Sequence, residues 1–414
     1  MLREAGIPGK FSLQGTFTSQ KYPNYRLWFI GQLVSLVGSW AQSAALGYLI
    51  YQLTKSPAYL GYVSFASGLP TWIFTLYAGA IADRVSRRTL LVITQSAMMV
   101  VATILAVLTF TNLIQVWQIL ILSFLMGVCN AFDAPARQAF VLEMIEREDM
   151  TNAIALNSTM FNLAVVVGPA LGGLIYAWVG PGWCFSINAI SFIAVIVALL
   201  LMNLKPFIPI KTDKSTFSDV RDGLKYVLNH PSVKMLITNL FFITIFGLGI
   251  ATLIPAWTVE VLGGGAATNG FLMAARGFGS LIGALMIASL GRIRFHGKIW
   301  SISSLLLPIT MIIFAYMRLL IPSMLAMAAM GFTFMMIVNL SNSMVQIRIA
   351  DEMRGRVMGV FTFFFFGAMP LGSLISGWSA DIIGEPLTVI ISAMILLVFA
   401  LWVFWQQPAL RAME

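Results

Sequence analysis

The sequence predicts an all-helical membrane protein of twelve spanning helices arranged as two pseudo-symmetric six-helix bundles. Three observations predict it: a composition too apolar for water, apolar runs of spanning length along the whole chain, and a repeat that relates the two halves. Of 414 residues, 59% are hydrophobic and 10% charged, with a mean hydropathy of +0.88, whereas a soluble domain carries about 25% charged residues. A water-soluble globule is excluded.

A crossing takes about 20 residues. Spans fall near 26–52, 57–82, 88–110, 116–138, 153–178 and 183–203, and again near 233–261, 267–291, 298–317, 321–346, 355–378 and 386–406. Residues 1–24 hold Arg3, Lys10 and Lys21 and no apolar core of signal-peptide length, so the first span is expected to direct insertion itself. Basic residues gather in alternate loops: 22 of the 25 lie before the first span, in every second loop and in the tail, leaving Lys55, Arg276 and Arg318. Cytoplasmic loops carry that excess, so both termini are expected in the cytoplasm of a multi-pass protein of the inner or plasma membrane. The net charge of +9 is distributed in this way instead of forming one basic face, which argues against nucleic acid as a partner.

An offset of 209 residues superimposes Asn130, Asp133 and Arg137 on Asn339, Asn342 and Gln346. The same offset brings Gly61, Ala66 and Gly68 over Gly270, Ala275 and Gly277, and Glu143 and Arg147 over Glu352 and Arg356. Further on the register slips by eight, and Pro169 corresponds to Pro370. The chain therefore divides into a bundle of residues 1–203, a linker of 204–232 and a bundle of 233–414. In the linker Phe217, Val220, Leu224 and Val227 share one helical face, and Thr216 with Asp219 resembles a capping box. That pattern predicts a brace on the membrane surface between the halves.

Catalytic chemistry finds no support. His230 and His296 lie in loops remote from Cys129 and Cys184, which read as packing residues, and there is no metal-ligand pair or phosphate loop ending in Lys-Ser or Lys-Thr. The chain is expected to be neither an enzyme nor an ATPase, to hold no metal or cofactor, and to draw on an ion gradient, with protons the expected ion.

Two motifs carry a resemblance. Gly79-Ala-Ile-Ala-Asp-Arg-Val-Ser-Arg-Arg88, between the second and third spans, resembles the loop signature of the major facilitator superfamily, with Ser86 where that signature has a second glycine. Gly168, Pro169, Gly172 and Gly173 in the fifth span resemble the motif that the superfamily associates with exporters. The stretches from Asp133 to Gln138 and from Arg147 to Ser158 resemble its enterobactin-exporter and macrolide-efflux branch. The resemblance implies the major facilitator fold and a monomeric secondary transporter. It also implies that Gly79, Asp83, Arg84, Arg87 and Arg88 form a gating loop, with the eleventh span as the partner of Asp83. Physically, the arginines are placed to pair with carboxylates such as Glu143. The arginine that many proton-coupled drug antiporters carry in the fourth span is Ser123 here, and the first span has Ser39 where an acid would serve.

Gln32, Ser35, Ser39 and Gln42 recur at helical spacing and share one face of the first span, a polar stripe expected to face a central cavity. Asn130, Asn339, Asn342 and Gln346, with Asn239, Trp257 and Thr258 on the seventh span, extend that lining, and Trp40 and Trp72 offer stacking surfaces. Buried amides equally serve as hydrogen-bonded glue between spans. Asp133, Glu260 and Arg276 are the candidate coupling groups, because ionisable residues in a bilayer are costly and mark ion pathways. The expected function is export of an amphipathic small molecule such as a siderophore or drug, with uptake or lysolipid translocation by the same machinery as the alternative.

Overall fold

A computed structural model describes residues 18–204, 216–290 and 295–411, apart from the side chains at 75, 76, 78–84, 216–219, 290 and 409. The first half comprises α1 (Pro23–Thr54), α2 (Pro57–Arg84), α3 (Arg87–Phe110), α4 (Val116–Val141), α5 (Met150–Val179) and α6 (Pro181–Leu201). The linker forms α7 (Thr216–Asn229). The second half comprises α8 (Pro231–Ile243, prolonged through irregular turns to Val261), α9 (Ala266–Leu290), α10 (His296–Tyr316), α11 (Leu320–Arg348), α12 (Arg354–Ile383) and α13 (Glu385–Gln406), followed by a short α14 (Pro408–Arg411). Among the described residues eleven segments are long and apolar enough to cross a membrane. The second expected span corresponds to the 28-residue α2.

Composition accounts for the helices. In hydrocarbon every backbone amide must be satisfied within its own segment, which helices achieve. Proline at the first position starts α1 and α6, and at the second position α13, where a free N–H would be unsatisfied anyway. Gly180 and Gly384, both at positive φ, stop α5 and α12, and each also begins the helix that follows. These two glycines stand at equivalent places in the two halves. Cys184 is buried, as a packing residue would be.

Within the first half α1 packs on α5 and α6, α3 on α4 and α6, and α2 on α4. In the second, α11 packs on α9 and α10, and α10 on α13. The halves meet through α2 against α12 and α5 against α9. Both contacts are made by small residues. A Cβ on Gly173 would lie 2.5 Å from the Ala266 carbonyl oxygen, and one on Gly61 2.8 Å from that of Ser373. Gly270 faces Gly173 and the Pro169 carbonyl, while Gly68 faces the ring of Pro370. The glycines that superimpose in the 209-residue repeat, Gly61 with Gly270 and Gly68 with Gly277, therefore occupy corresponding seams. Such close approach of backbones is how helices associate in lipid, where apolar side chains gain nothing by leaving the bilayer.

The linker helix uses its apolar positions in two ways. Val227 is buried against the second half and Gly223 abuts the Arg356 carbonyl, whereas Val220, Leu224 and Leu228 are exposed. Asp222 pairs with Arg356 at 3.5 Å, fastening α7 to the start of α12. The side chains of Phe217, Thr216 and Asp219 lie outside the described residues.

Near the N-terminus Lys21 and Tyr22 both donate to the Asp149 carboxylate, at 2.6 and 2.7 Å. The Lys21 hydrogen bond, ahead of that from Tyr22, holds the Asp149 carboxyl below its ordinary pKa. The tie is thus complete above the usual carboxylate range and lost only as pH falls through the lowered value.

Gly173→Val should separate α5 from α9, at a cost of about 1–3 kcal/mol in this arrangement. Disulfide formation between Ser56→Cys and Asp381→Cys, whose native side chains hydrogen-bond at the other contact between the halves, α2 with α12, should be efficient in the parent and markedly reduced when Gly173→Val spreads the two bundles.

Candidate functional site

The contacts between halves concentrate at the end of the bundle opposite the chain termini. Tyr51 of α1 donates to Glu260 of α8 at 2.8 Å, Asn269 of α9 donates to the Ala44 carbonyl at 3.3 Å, and Ser56 bonds Asp381. Tyr51 is buried and Glu260 exposed, so the tyrosine delivers its hydroxyl from the packed interior to a solvated carboxylate. Towards the termini an open cleft of about 440 Å³ is lined by Asn339, Asn342, Ser343, Gln346 and Ile347 of α11 with Arg354. Gln346 donates to Asn342 within this lining, so the helical spacing read from the sequence does bring these amides onto one solvated face.

The polar stripe of α1 turns elsewhere. Asn188 of α6 donates to Gln42 at 2.8 Å, and Ser39 donates to the side-chain amide oxygen of Asn188 at 3.4 Å. Gln42, Ser35 and Gln32 are all buried. The expectation of a cavity-facing stripe is corrected for Gln42 and Ser39: Gly38, lying between them, brings α1 against Ser191 and Asn188, and the amides join the two helices there. The Gln32 carbonyl oxygen is enclosed without a protein partner. Trp40 packs edge-on against Phe161. Asn130 is exposed but donates to the Met126 carbonyl of its own helix, and Asn239 is buried with its amide nitrogen unpartnered.

Asp133 sits 1% exposed in α4, accepting from Thr94 at 3.0 Å and Gln95 at 2.8 Å of α3, with Arg137 one turn away at 3.6 Å. Its charge is met from three sides, which makes this carboxylate a cross-helix fastening between α3 and α4. Thr94 and Gln95 were not legible as its partners, because nothing local in the sequence sets the rotation of α3 relative to α4.

Arg276 has the opposite surroundings. It is half-buried in α9, its Nε is enclosed without a protein partner, and no ion pair among the described residues includes it. It lines a small apolar chamber with Trp257, whose ring stacks on Phe314 at 4.4 Å between centroids. Trp257 is thus part of the interior of the second half, 1% exposed, and not of the open cleft, which corrects the cavity-lining expectation for it. Next to this chamber α8 is irregular: π-helical turns at Thr244–Leu248 and Trp257–Val261 bracket a 3₁₀ stretch at Gly249–Leu253. Irregular turns of this kind cluster at functional positions.

In the gating loop Arg87 pairs with Glu143 at 2.6 Å and Arg88 donates to the Leu200 carbonyl at 2.8 Å, tying α3 to the α4–α5 loop and to the end of α6. The side chains of Gly79, Asp83 and Arg84 lie outside the described residues. In α5, Gly168 and Gly172 face α1 at Trp40 and Ala41, while Gly173 and the Pro169 carbonyl face α9. One run of small residues therefore serves two interfaces, one inside the first half and one between the halves.

Sequence reasoning missed Tyr51 as the partner of Glu260. The signal was present, since the two positions are 209 residues apart, the offset of the repeat. Pseudo-equivalent positions near the axis relating the halves face each other.

Residues 14–414 match a family model described as transmembrane secretion effector. The staphyloferrin A transporter of Staphylococcus aureus is 25% identical over 360 residues, covering 87% of this chain and 90% of that protein. The multidrug efflux pump Tap of Mycolicibacterium fortuitum is 26% identical over 364 residues, covering 85% and 88%. Among solved structures, the nucleoside transporter NupG superimposes with a TM-score of 0.70 at 15% identity, covering 92% of this chain and 98% of that one.

Asp133→Asn should lower stability by roughly 1–3 kcal/mol, the cost of disturbing hydrogen bonds to a buried charged group. Arg137→Gln, whose side chain is 23% exposed, should cost less. Thermal unfolding of the purified variants in detergent checks the order; equal losses would contradict it.

Proposed function

Since the chain belongs to the transmembrane secretion effector family of the major facilitator superfamily and is a membrane transporter, not an enzyme, we propose that it is a secondary active exporter of an amphipathic small molecule. Export is favoured by the relatives, of which one is a siderophore transporter and another a multidrug efflux pump, and by the glycine-proline run of α5 at the seam. The reading has the two bundles, 1–203 and 233–414, rock about the α2–α12 and α5–α9 contacts, exposing a site between them to alternate faces. The alternation of basic loops supports a cytoplasmic location for both termini. On that orientation the described arrangement is sealed outside by Tyr51, Glu260, Ser56 and Asp381 and open towards the cytoplasm, the state in which an exporter loads.

The observation that carries the reading is the seam itself. It combines backbone contacts between small residues, apolar packing of Ala256 and Val259 against Ile50, Leu60 and Val63 near the outer end, and a few hydrogen bonds to carboxylates at its outer rim. A proton gradient is the proposed energy source, with Glu260 the leading carrier: like Asp381 it takes part in the seam at the outer rim and meets solvent, and it lies in the irregular end of α8 beside the Arg276 chamber. Protonation removes one charge from the rim while Tyr51 retains an acceptor. Asp133, satisfied from three sides, is the weaker candidate. The transporter is proposed to act as a monomer in the cell membrane.

The test is efflux of a fluorescent amphiphile such as ethidium, and of siderophore and macrolide panels, from proteoliposomes with an imposed pH gradient. The expected result is gradient-dependent movement in the export direction, with Glu260→Gln abolishing the dependence on the gradient and retaining downhill flux. Gradient-independent flux in the wild type would remove proton coupling; uptake in preference to export would favour the alternative direction.

A further inference from the structure

The chamber beside Arg276 has room for about 20 Å³, enough for one water-sized group such as a single carboxylate oxygen. It is walled by the irregular part of α8, by Phe314, Met327, Met330 and Val389, and by two polar side chains, Trp257 and Arg276. Both of these have a buried nitrogen with no hydrogen-bond partner among the described residues, Nε1 of Trp257 and Nε of Arg276. Both nitrogens are donors, and one belongs to a cation. No carboxylate, amide or hydroxyl side chain lines the chamber. The Trp257 ring is buried, stacks on Phe314 and lies 5.9 Å from the guanidinium carbon of Arg318, which adds positive charge to its surroundings.

Two fixed donors, one charged, in an apolar enclosure define the complementary guest. It must accept hydrogen bonds, carry negative charge and be small where it enters. A water would satisfy the hydrogen bonds but leave the half-buried guanidinium without a counter-charge in the middle of a spanning helix. A carboxylate matches the geometry of a guanidinium edge and leaves an acceptor lone pair for the indole N–H. We propose that this chamber is an anion site that holds a carboxylate between Arg276 and Trp257. Where the carboxylate is the head of an amphipathic cargo whose body extends beyond the chamber, the inference rests on the transport reading given above; a free small acid would use the same two donors.

The test uses the full chain in lipid nanodiscs and measures the shift of apparent unfolding temperature with 4-phenylbutyrate, its neutral isostere 4-phenylbutyramide, and acetate, because a bound ligand raises apparent stability. In the wild type, 4-phenylbutyrate should bind at least roughly tenfold more tightly than the amide, as expected for hydrogen bonds to a charged group. Arg276→Gln should erase that preference and Trp257→Phe should reduce it, while Arg276→Lys should keep part of it. Stabilisation by acetate equal to that by 4-phenylbutyrate would identify the free acid as the source; stabilisation by 4-phenylbutyrate alone would identify the cargo head group. Equal binding of acid and amide in the wild type, no binding of either acid, or a preference that survives both Arg276→Gln and Trp257→Phe would overturn the site. If Arg276→Gln does not fold, the wild-type preference and Trp257→Phe decide. Loss of the acid preference with efflux intact removes the anion site alone, whereas an intact preference in a protein that moves no amphiphile removes the export reading alone.

Discussion

Everything in this molecule is organised by how closely backbones approach at Gly61 with Gly377 and at Gly173 with Gly270. In lipid there is no hydrophobic force to hold two bundles together, since an apolar side chain is as comfortable against acyl chains as against another helix. Cohesion between the halves must come from shape and from a few polar contacts. Small residues supply the shape, and they do so on two helix pairs related by the internal repeat. The result is a seam that is tight where it closes and inexpensive to open. That combination suits a transporter better than a large interlocked interface would.

The distribution of intramembrane charge follows the same division of labour. Asp133 is buried and fully engaged by Thr94, Gln95 and Arg137, so it strengthens one half from within. Glu260 stands at the rim of the seam, bonded by a tyrosine from the opposite half. Arg276 lies beneath that rim, its Nε without a hydrogen-bond partner among the described residues. An ionisable group satisfied within one bundle is a fastening, whereas one satisfied across the seam, or left to a guest, couples chemistry to the relative position of the halves. The irregular turns of α8 stand beside both Glu260 and Arg276 and bend that helix where the two regions meet.

Much of the architecture could be read from the chain. Run length and basic-loop alternation locate the spans, and the 209-residue offset anticipates that Gly61 and Gly270 share a role. The same offset contains the pairing of Tyr51 with Glu260, although pairing across an axis is visible only once the axis is drawn. The direction of the α1 stripe was not legible. Helical spacing shows that Gln32, Ser35, Ser39 and Gln42 share a face, but the neighbour that face meets depends on Gly38 and on Asn188 far along the chain. For Trp257, a tryptophan in a span reads equally as cargo platform or as core, and the distinction rests on its stacking against Phe314. The π-helical turns of α8 leave no local pattern in the sequence; the first lies where Ile245 and Gly249 pack against Gly372 of α12.

The central claim is that the two ends of the seam open in alternation. Spin labels placed at Leu113 and Leu319, exposed at the end opposite the termini, and at Glu146 and Asp351, exposed at the terminal end, allow both to be followed in nanodiscs by pulsed dipolar spectroscopy over a pH titration. The account predicts two distance populations for each pair, with the fraction of short distances at one end rising as the fraction at the other falls. Populations that vary independently, or a single unchanging distance at the sealed end, would contradict it.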